Sequence, residues 1–183
     1  MERRSFMEIR LATKHDIDAI CRIYEAAKQF MSANGNASQW DGDCPGLREA
    51  KRDVRRGAQM VAVDEAGEIV GCFVFDSTED PDYLKIDGAW LNKFPYFTIH
   101  RLATLRQGEG VGGQILDWTI KAANNIRVDT RADNKPMQRL LESRGFVRCG
   151  TIRLKRGGEG IAYHFARPDD RPIKDDPFWA WKR

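Results

Sequence analysis

Residues 106–113 read RQGEGVGG, four glycines in eight positions. Each glycine loses more backbone freedom on folding than any other residue would, so a run this dense needs a reason. Two frames fit it. Gly108, Gly110 and Gly113 spell G-x-G-x-x-G, the dinucleotide fingerprint, and Asp129 stands about twenty residues on, where that fingerprint places its acidic residue. Gln107, Gly110 and Gly112 spell Q-x-x-G-x-G, a second pattern that cradles a pyrophosphate. Both frames serve a phosphate group, whereas a plain flexible turn serves none. The flanks separate them.

Upstream, residues 96–105 (YFTIHRLATL) form a strand pattern. Downstream, Val111, Ile115, Trp118 and Ala122 recur at helical spacing, and residues 126–130 form the next strand. The loop therefore joins a strand to a helix, with a parallel strand beyond. Outside this unit the pattern changes. Residues 7–11 are a short strand. Thr13 caps a helix with Asp16 in capping-box position, and Ile17, Ile20, Tyr24, Ala27 and Met31 give that helix one apolar face. Residues 34–46 are a loop rich in turn formers that carries Trp40, and a second helix runs over 47–56 to Gly57. Residues 60–63 and 69–75 form a hairpin across the turn at 64–67. Residues 76–95 mix strand and loop signals. Asn134 and Pro136 open a further helix with Met137, Leu140 and Leu141 on its apolar face, and Gly145-Phe146 closes it. Strands over 147–154 and 161–166 follow, joined by a turn at 155–160. Residues 167–183 are a tail with three prolines and the cluster Phe178-Trp179-Ala180-Trp181. The tail is expected to pack on the domain formed by residues 1–166, with a homodimer contact as the alternative.

Composition bounds what this chain does. At 183 residues one domain with a sizeable core is expected. Apolar content of 42% and charged content of 31% are those of an ordinary globular protein. A net charge of +3, with no Lys/Arg stripe interleaved with aromatics, argues against a nucleic-acid partner. The run Lys51-Arg52 with Arg55-Arg56 reads as a solvated helix face. Cys21, Cys44, Cys72 and Cys149 form no C-x-x-C pair, so neither a zinc site nor a redox motif is expected, and they read as reduced thiols. The N-terminus lacks the apolar run of a signal peptide, and no stretch reaches membrane-spanning length. A cytoplasmic protein with no metal, no membrane partner and no nucleic acid is expected.

The dinucleotide fold needs several parallel strands joined by helices. Here the parallel unit occurs once, with hairpins on either side, and Thr98, His100 and Arg101 interrupt the apolar run that a doubly covered strand would show. The order β-α-α-β-β-β-α-β-α-β-β instead resembles the GNAT superfamily of N-acetyltransferases over residues 7–166. The resemblance is most specific in IHRLATLRQGEGVGGQILDW (99–118) and continues through DNKPMQRLLESRGF (133–146). It implies a mixed α/β fold: a central, mostly antiparallel sheet with one parallel pair splayed at the coenzyme site, flanked by about four helices.

By that resemblance the chain takes acetyl-CoA as cosubstrate. Arg106, Gln107, Gly108, Gly110, Val111, Gly112 and Gly113 would hold the pyrophosphate at the helix N-terminus, where unpaired N–H groups carry partial positive charge. Backbone groups near Leu102, Ala103 and Thr104 would pair with the pantetheine amides, one N–H polarising the thioester carbonyl as an oxyanion donor. Asn134 would contact the pantetheine arm; as a residue it reads equally as a helix N-cap.

Acetyl transfer to an amine needs a neutral nucleophile, a stabilised oxyanion and a proton for the departing thiolate. His100 is the candidate base, since an imidazole changes charge near neutral pH. A structural, hydrogen-bonded histidine is the competing reading. Strand alternation places it with Tyr96 and Thr98, opposite Phe97, Ile99 and Arg101. Asp129 would orient it or anchor a loop. His15 and His164 are expected to be structural. Many family members carry a tyrosine where this chain has Leu141, so either the thiolate leaves without an acid or another group serves, with Cys149 and Tyr96 as candidates; as residues they also read as a buried thiol and a core aromatic. Trp40, Asp87 and Trp90 are candidates for binding the acceptor, with Asp87 holding a cationic amine and the indoles walling the pocket; the tryptophans read equally as core plugs. The function expected is acetyl transfer to a small amine. A non-catalytic acyl-CoA-binding module is the second reading, and a nucleotide-dependent oxidoreductase the third.

Overall fold

The computed structural model describes residues 7–37, 39–40 and 42–168. The tail from residue 169 onward, including the Phe178–Trp181 cluster, lies outside them. Four helices and eight strands follow the expected order closely. They are β1 (Glu8–Leu11), α1 (Ile17–Ala33), α2 (Leu47–Arg55), β2 (Gln59–Val63), β3 (Ile69–Asp76), β4 (Ile86–Gly88), β5 (Phe97–Thr104), α3 (Val111–Ala122), β6 (Asn125–Thr130), α4 (Lys135–Glu142), β7 (Val147–Arg153) and β8 (Glu159–Ala166). The element that the sequence did not resolve is β4, which lies within residues 76–95 after a 3-10 turn at Pro81–Tyr83. The eight strands run in the order β1-β2-β3-β5-β6-β8-β7-β4.

The chain divides into two compact units, residues 1–75 with 100–115, and residues 76–99 with 116–183. The first begins at Thr13, whose Oγ1 accepts from the His15 N–H while Asp16 accepts from the Thr13 N–H at 2.7 Å. Arg10 adds two donors to the Asp16 carboxylate, at 2.8 and 3.0 Å, and with the Thr13 bonds holds it down to a pKa of about 2. A capping box on a 3-10 turn thus opens α1. Ile20, Ile23, Tyr24 and Ala27 recur at 3.6-residue spacing and are buried with Ala50 of α2, Val61, Cys72 and Ala103. Strands β1, β2 and β3 pair antiparallel beside this core. Lys51, Arg52, Arg55 and Arg56 of the α2 region are exposed, as the charge run implied, but they flank a carboxylate, Asp53, that is fully buried.

The second unit is built on β6, β8, β7 and β4, which pair antiparallel in that order, and on the start of β5, which runs parallel to β6. Its core cluster is Tyr83, Tyr96, Ile152 and Ala162. The parallel register covers Phe97↔Ile126 and Thr98↔Arg127, although β5 continues for six residues more to Thr104. Among the described residues no helix is long and apolar enough to cross a membrane.

Candidate functional site

Strand β5 carries polar residues through a buried position. Tyr96, Phe97, Thr98 and Ile99 are all at most 9% exposed, so the strand is covered on both faces despite its polar content; Thr98 Oγ1 donates to the Asp76 carbonyl at 3.3 Å. Strict alternation then ends at Arg101, whose φ is +51°. A non-glycine residue in that region is strained by about 1–2 kcal/mol and needs its surroundings to hold it. What holds it is Asp53, whose Oδ2 accepts from Arg101 Nη2 at 2.5 Å while Arg52 and Arg56 approach Oδ1 at 3.1 and 3.4 Å. The left-handed backbone at Arg101 interrupts the alternation expected over residues 96–101. His100 itself is half-buried.

Beyond Arg101, Leu102 is half-buried and Ala103 and Thr104 are buried. Thr104 Oγ1 accepts from Gln107 Nε2 at 2.9 Å, which folds the loop back on the strand end. Residues 106–110 are exposed, and Gly108 and Gly110 have φ of +82° and +75°. A Cβ on either would meet no heavy atom within 4 Å, so these glycines are required by backbone conformation and leave the loop's outer side open. Val111 then starts α3. A Cβ at Gly71 of β3 would meet Val111 Cγ1 at 2.9 Å and Ile115 Cδ1 at 3.0 Å, so the first turn of α3 sits directly on that strand. Arg106 differs from its expected role. Its guanidinium pairs with Glu68 at 2.8 Å and Glu109 at 3.2 Å on the surface, and it would have to leave them to meet a phosphate.

In the second unit, Asn134 caps α4, its Oδ1 accepting from the Met137 N–H at 3.2 Å. Leu141, at the position where a tyrosine acid was sought, is fully buried core. Asp129 accepts from Tyr83 Oη at 2.8 Å, so its carboxylate anchors a buried phenol. The Cys149 thiol donates to the Val147 carbonyl, and burial raises its pKa. Asp87 is exposed on β4, paired in register with Thr151. Trp40, in the first unit, packs edge-on to Tyr24 with centroids 5.6 Å apart and so serves as a core plug.

Trp90 and Tyr96 belong to a cluster whose centre the sequence reading missed. The Arg127 guanidinium lies between their rings, 4.3 Å from the Trp90 centroid and 3.9 Å from that of Tyr96. Tyr96 stacks on Tyr83 at 6.3 Å, and Trp90 Nε1 donates to the Tyr83 carbonyl. His164, expected to be bland, is fully buried at the edge of Trp90. Its Nδ1 accepts from the Leu91 N–H at 3.2 Å, which leaves the proton on Nε2, facing Asn125 Oδ1 at 3.2 Å. Burial, with Arg127 adding to it, lowers the His164 pKa to about 4. The signal for this cluster was a lone cation, Arg127, inside the otherwise buried strand β6.

A pH prediction follows from His164. Below about pH 6.5 the unfolded chain binds a proton at this residue, and the folded chain does not until about pH 4. Stability should therefore fall by about 2–3 kcal/mol between about pH 7 and about pH 4.5, read from urea unfolding at both values. His164→Gln should flatten that dependence. An unchanged slope in the variant would assign the loss to other groups.

Among the described residues no group of three or more His, Cys, Asp or Glu side chains could hold a metal ion. Neither a family model nor a curated relative matches the sequence. Solved structures do. A GNAT-family acetyltransferase from Streptococcus agalactiae 2603 superposes with a TM-score of 0.79 and 26% identity, covering 89% of this chain and 96% of its own. These likenesses support a GNAT-superfamily acetyltransferase. A Staphylococcus aureus Mu50 structure assigned as an acetyltransferase covers 86% of this chain and 97% of its own, at 27% identity and a TM-score of 0.64. Salmonella typhimurium yncA, solved with its cofactor acetyl-CoA, shares the fold at 21% identity and a TM-score of 0.57, covering 91% and 97%. The dinucleotide frame is set aside: the sheet has one parallel pair, and Asp129 is engaged by Tyr83.

Proposed function

We propose that this protein transfers an acetyl group from acetyl-CoA to the amine of a small molecule, by direct attack within a ternary complex. The observation that carries the proposal is the exposed loop at 106–110, with two left-handed glycines between the end of β5 and the first turn of α3. Successive backbone N–H groups at a helix N-terminus suit a pyrophosphate, and the glycines let it approach. The S. agalactiae neighbour is an acetyltransferase, and yncA holds acetyl-CoA, which supports the choice of donor.

In this reading the amine nitrogen attacks the thioester carbonyl carbon. A C–N bond forms, and the C–S bond breaks as the tetrahedral oxyanion collapses. A backbone N–H of residues 102–104, beyond the left-handed Arg101, stabilises the oxyanion. His100 takes the proton lost by the amine, directly or through water. The departing thiolate needs a proton, and Cys149 and Tyr96 are the candidate donors. Burial raises both of their pKa values, so each stays protonated at neutral pH. Asn134 meets the pantetheine arm while keeping its cap. A non-catalytic acyl-CoA-binding module is the second reading, favoured by one observation: Leu141 is core and supplies no acid.

Thermal unfolding with acetyl-CoA, free coenzyme A, NADH or NADPH tests the donor. Binding at a hundred times Kd adds ~2.7 kcal/mol, which at this chain length is a midpoint rise of roughly 5–10 °C. That rise is expected with acetyl-CoA and coenzyme A only. A rise with NADH alone would overturn the assignment. Release of free thiol from acetyl-CoA over a panel of amines then separates the enzyme from the binding module.

A further inference from the structure

Arg127 is a buried cation without a counter-charge. It is 7% exposed, and one of its Nη atoms donates to the Asn92 carbonyl at 2.9 Å. Its other neighbours are the faces of Trp90 and Tyr96. Among the described residues no carboxylate pairs with it, and its Nε has no hydrogen-bond partner. The nearest acidic side chain on the same strand, Asp129, is engaged by Tyr83. Burying a charge without a partner is costly, and proteins keep such groups where something pairs with them. Beside it stands a second unsatisfied group. Tyr96 is 9% exposed, and its Oη, near the Arg127 guanidinium and the Asp80 backbone, makes no well-formed hydrogen bond with either. Two polar side chains, each about nine-tenths buried and each with an unmet atom, thus meet at one place. Both belong to the same compact unit, as do Trp90, Asn92 and His164.

We propose that Arg127 and Tyr96 form a seat for a carboxylate carried by the acetyl acceptor, so that the substrate class is amino acids in the broad sense: amines that also bear a carboxylate. The planar guanidinium fork matches a carboxylate, and a charge-assisted bond in a dry site is among the stronger polar contacts. Charge count selects a monoanion. One cation and one neutral hydroxyl face the site, and His164 beside it is a neutral donor already committed to Asn125. That balances a carboxylate and leaves a phosphate dianion under-compensated. The aromatic walls accept the apolar part of such a molecule, and Trp90 and Tyr83 fix the ring that carries the hydroxyl. The consequence for substrate rests on the acetyl-transfer reading; the seat itself does not.

The test uses the whole protein and a graded panel: glycine, the larger L-α-amino acids, β-alanine and longer ω-amino acids, each against its carboxamide. Binding is read by thermal unfolding and calorimetry, with and without acetyl-CoA, and turnover by thiol release. At least one acid should bind, and its carboxamide should bind ~10–100-fold more weakly, the range for losing a bond to a charged group. Arg127→Gln should erase that preference. Tyr96→Phe, which keeps the ring stack, should reduce it severalfold. Arg127→Gln should not alter the midpoint rise produced by acetyl-CoA. If no acid binds, or if the preference survives Arg127→Gln, the seat is refuted. The wild-type comparison of acid with carboxamide stands even if a variant fails to fold. Acid binding that depends on Arg127, in a protein that ignores acetyl-CoA, would keep the seat and refute the acetyl-transfer reading instead.

Discussion

Replacing Gly110 with valine is expected to remove most of the midpoint rise of roughly 5–10 °C that saturating acetyl-CoA gives the unaltered protein. The physical cause is backbone geometry. Gly110 sits at φ +75°, immediately before the first residue of α3. A β-branched side chain avoids that region at a cost of about 1–2 kcal/mol, so the loop relaxes toward a negative φ and its N–H groups no longer converge. Any side chain that stays also projects into the open outer face, because a Cβ there meets nothing within 4 Å. Binding suffers twice, from misdirected donors and from a blocked approach.

The variant must lose binding and not merely stability, and the structure supplies a control. Gly57, at the end of α2, also has a positive φ, +65°, and a Cβ there also meets nothing within 4 Å. Gly57→Val should therefore lower the midpoint by a similar few degrees, and acetyl-CoA should still raise it by the full amount. If both variants keep the ligand-induced rise, the glycines serve the turn alone. If both lose it, the effect is global and says nothing of the loop.

The contrast between these glycines shows where the sequence was informative. RQGEGVGG announced a loop joining a strand to a helix because both flanks have clean periods: strand before, helix after. The caps at Thr13 and Asn134 were legible for the same reason, since a side-chain oxygen serves an N–H two or three residues away. What escaped depends on partners far along the chain. Strand β4 reads Ile-Asp-Gly, with no strand propensity to mark it, and it pairs with β7 through the close approach of Gly88 to Gly150. The left-handed backbone at Arg101 is invisible in YFTIHRLATL, because the residue's partner is Asp53, forty-eight residues earlier. The aromatic sleeve around Arg127 draws on residues 83, 90, 96 and 164, each unremarkable alone. Local chemistry was readable; side chains that meet through tertiary packing were not.

Asp53→Asn is expected to lower the melting midpoint by roughly 6–20 °C, the range set by losing one member of a buried ion pair at ~3–5 kcal/mol in a chain of this length. Asp53 is fully buried, and Arg101 is its one mostly buried partner, with 17% of its side chain exposed. Arg52 and Arg56 remain nearly half exposed and contribute little. Without the carboxylate the Arg101 cation is buried beside an amide, and nothing offsets the strain of φ +51°. Two further variants separate charge from conformation. Arg101→Gly accepts the left-handed backbone freely but strands Asp53, so it too should be destabilised. Combining it with Asp53→Asn removes both the stranded charge and the strain, and the double variant should be more stable than the sum of the two losses predicts. Additive losses would show that the pair does not act as a unit. The same series reports on function. If the left-handed backbone at Arg101 aims the N–H groups of residues 102–104 at a thioester, the double variant should recover stability together with much of its turnover, because glycine can hold that conformation alone. Recovery of stability with turnover still lost would mean that the Arg101 side chain, and not only its backbone, serves the reaction.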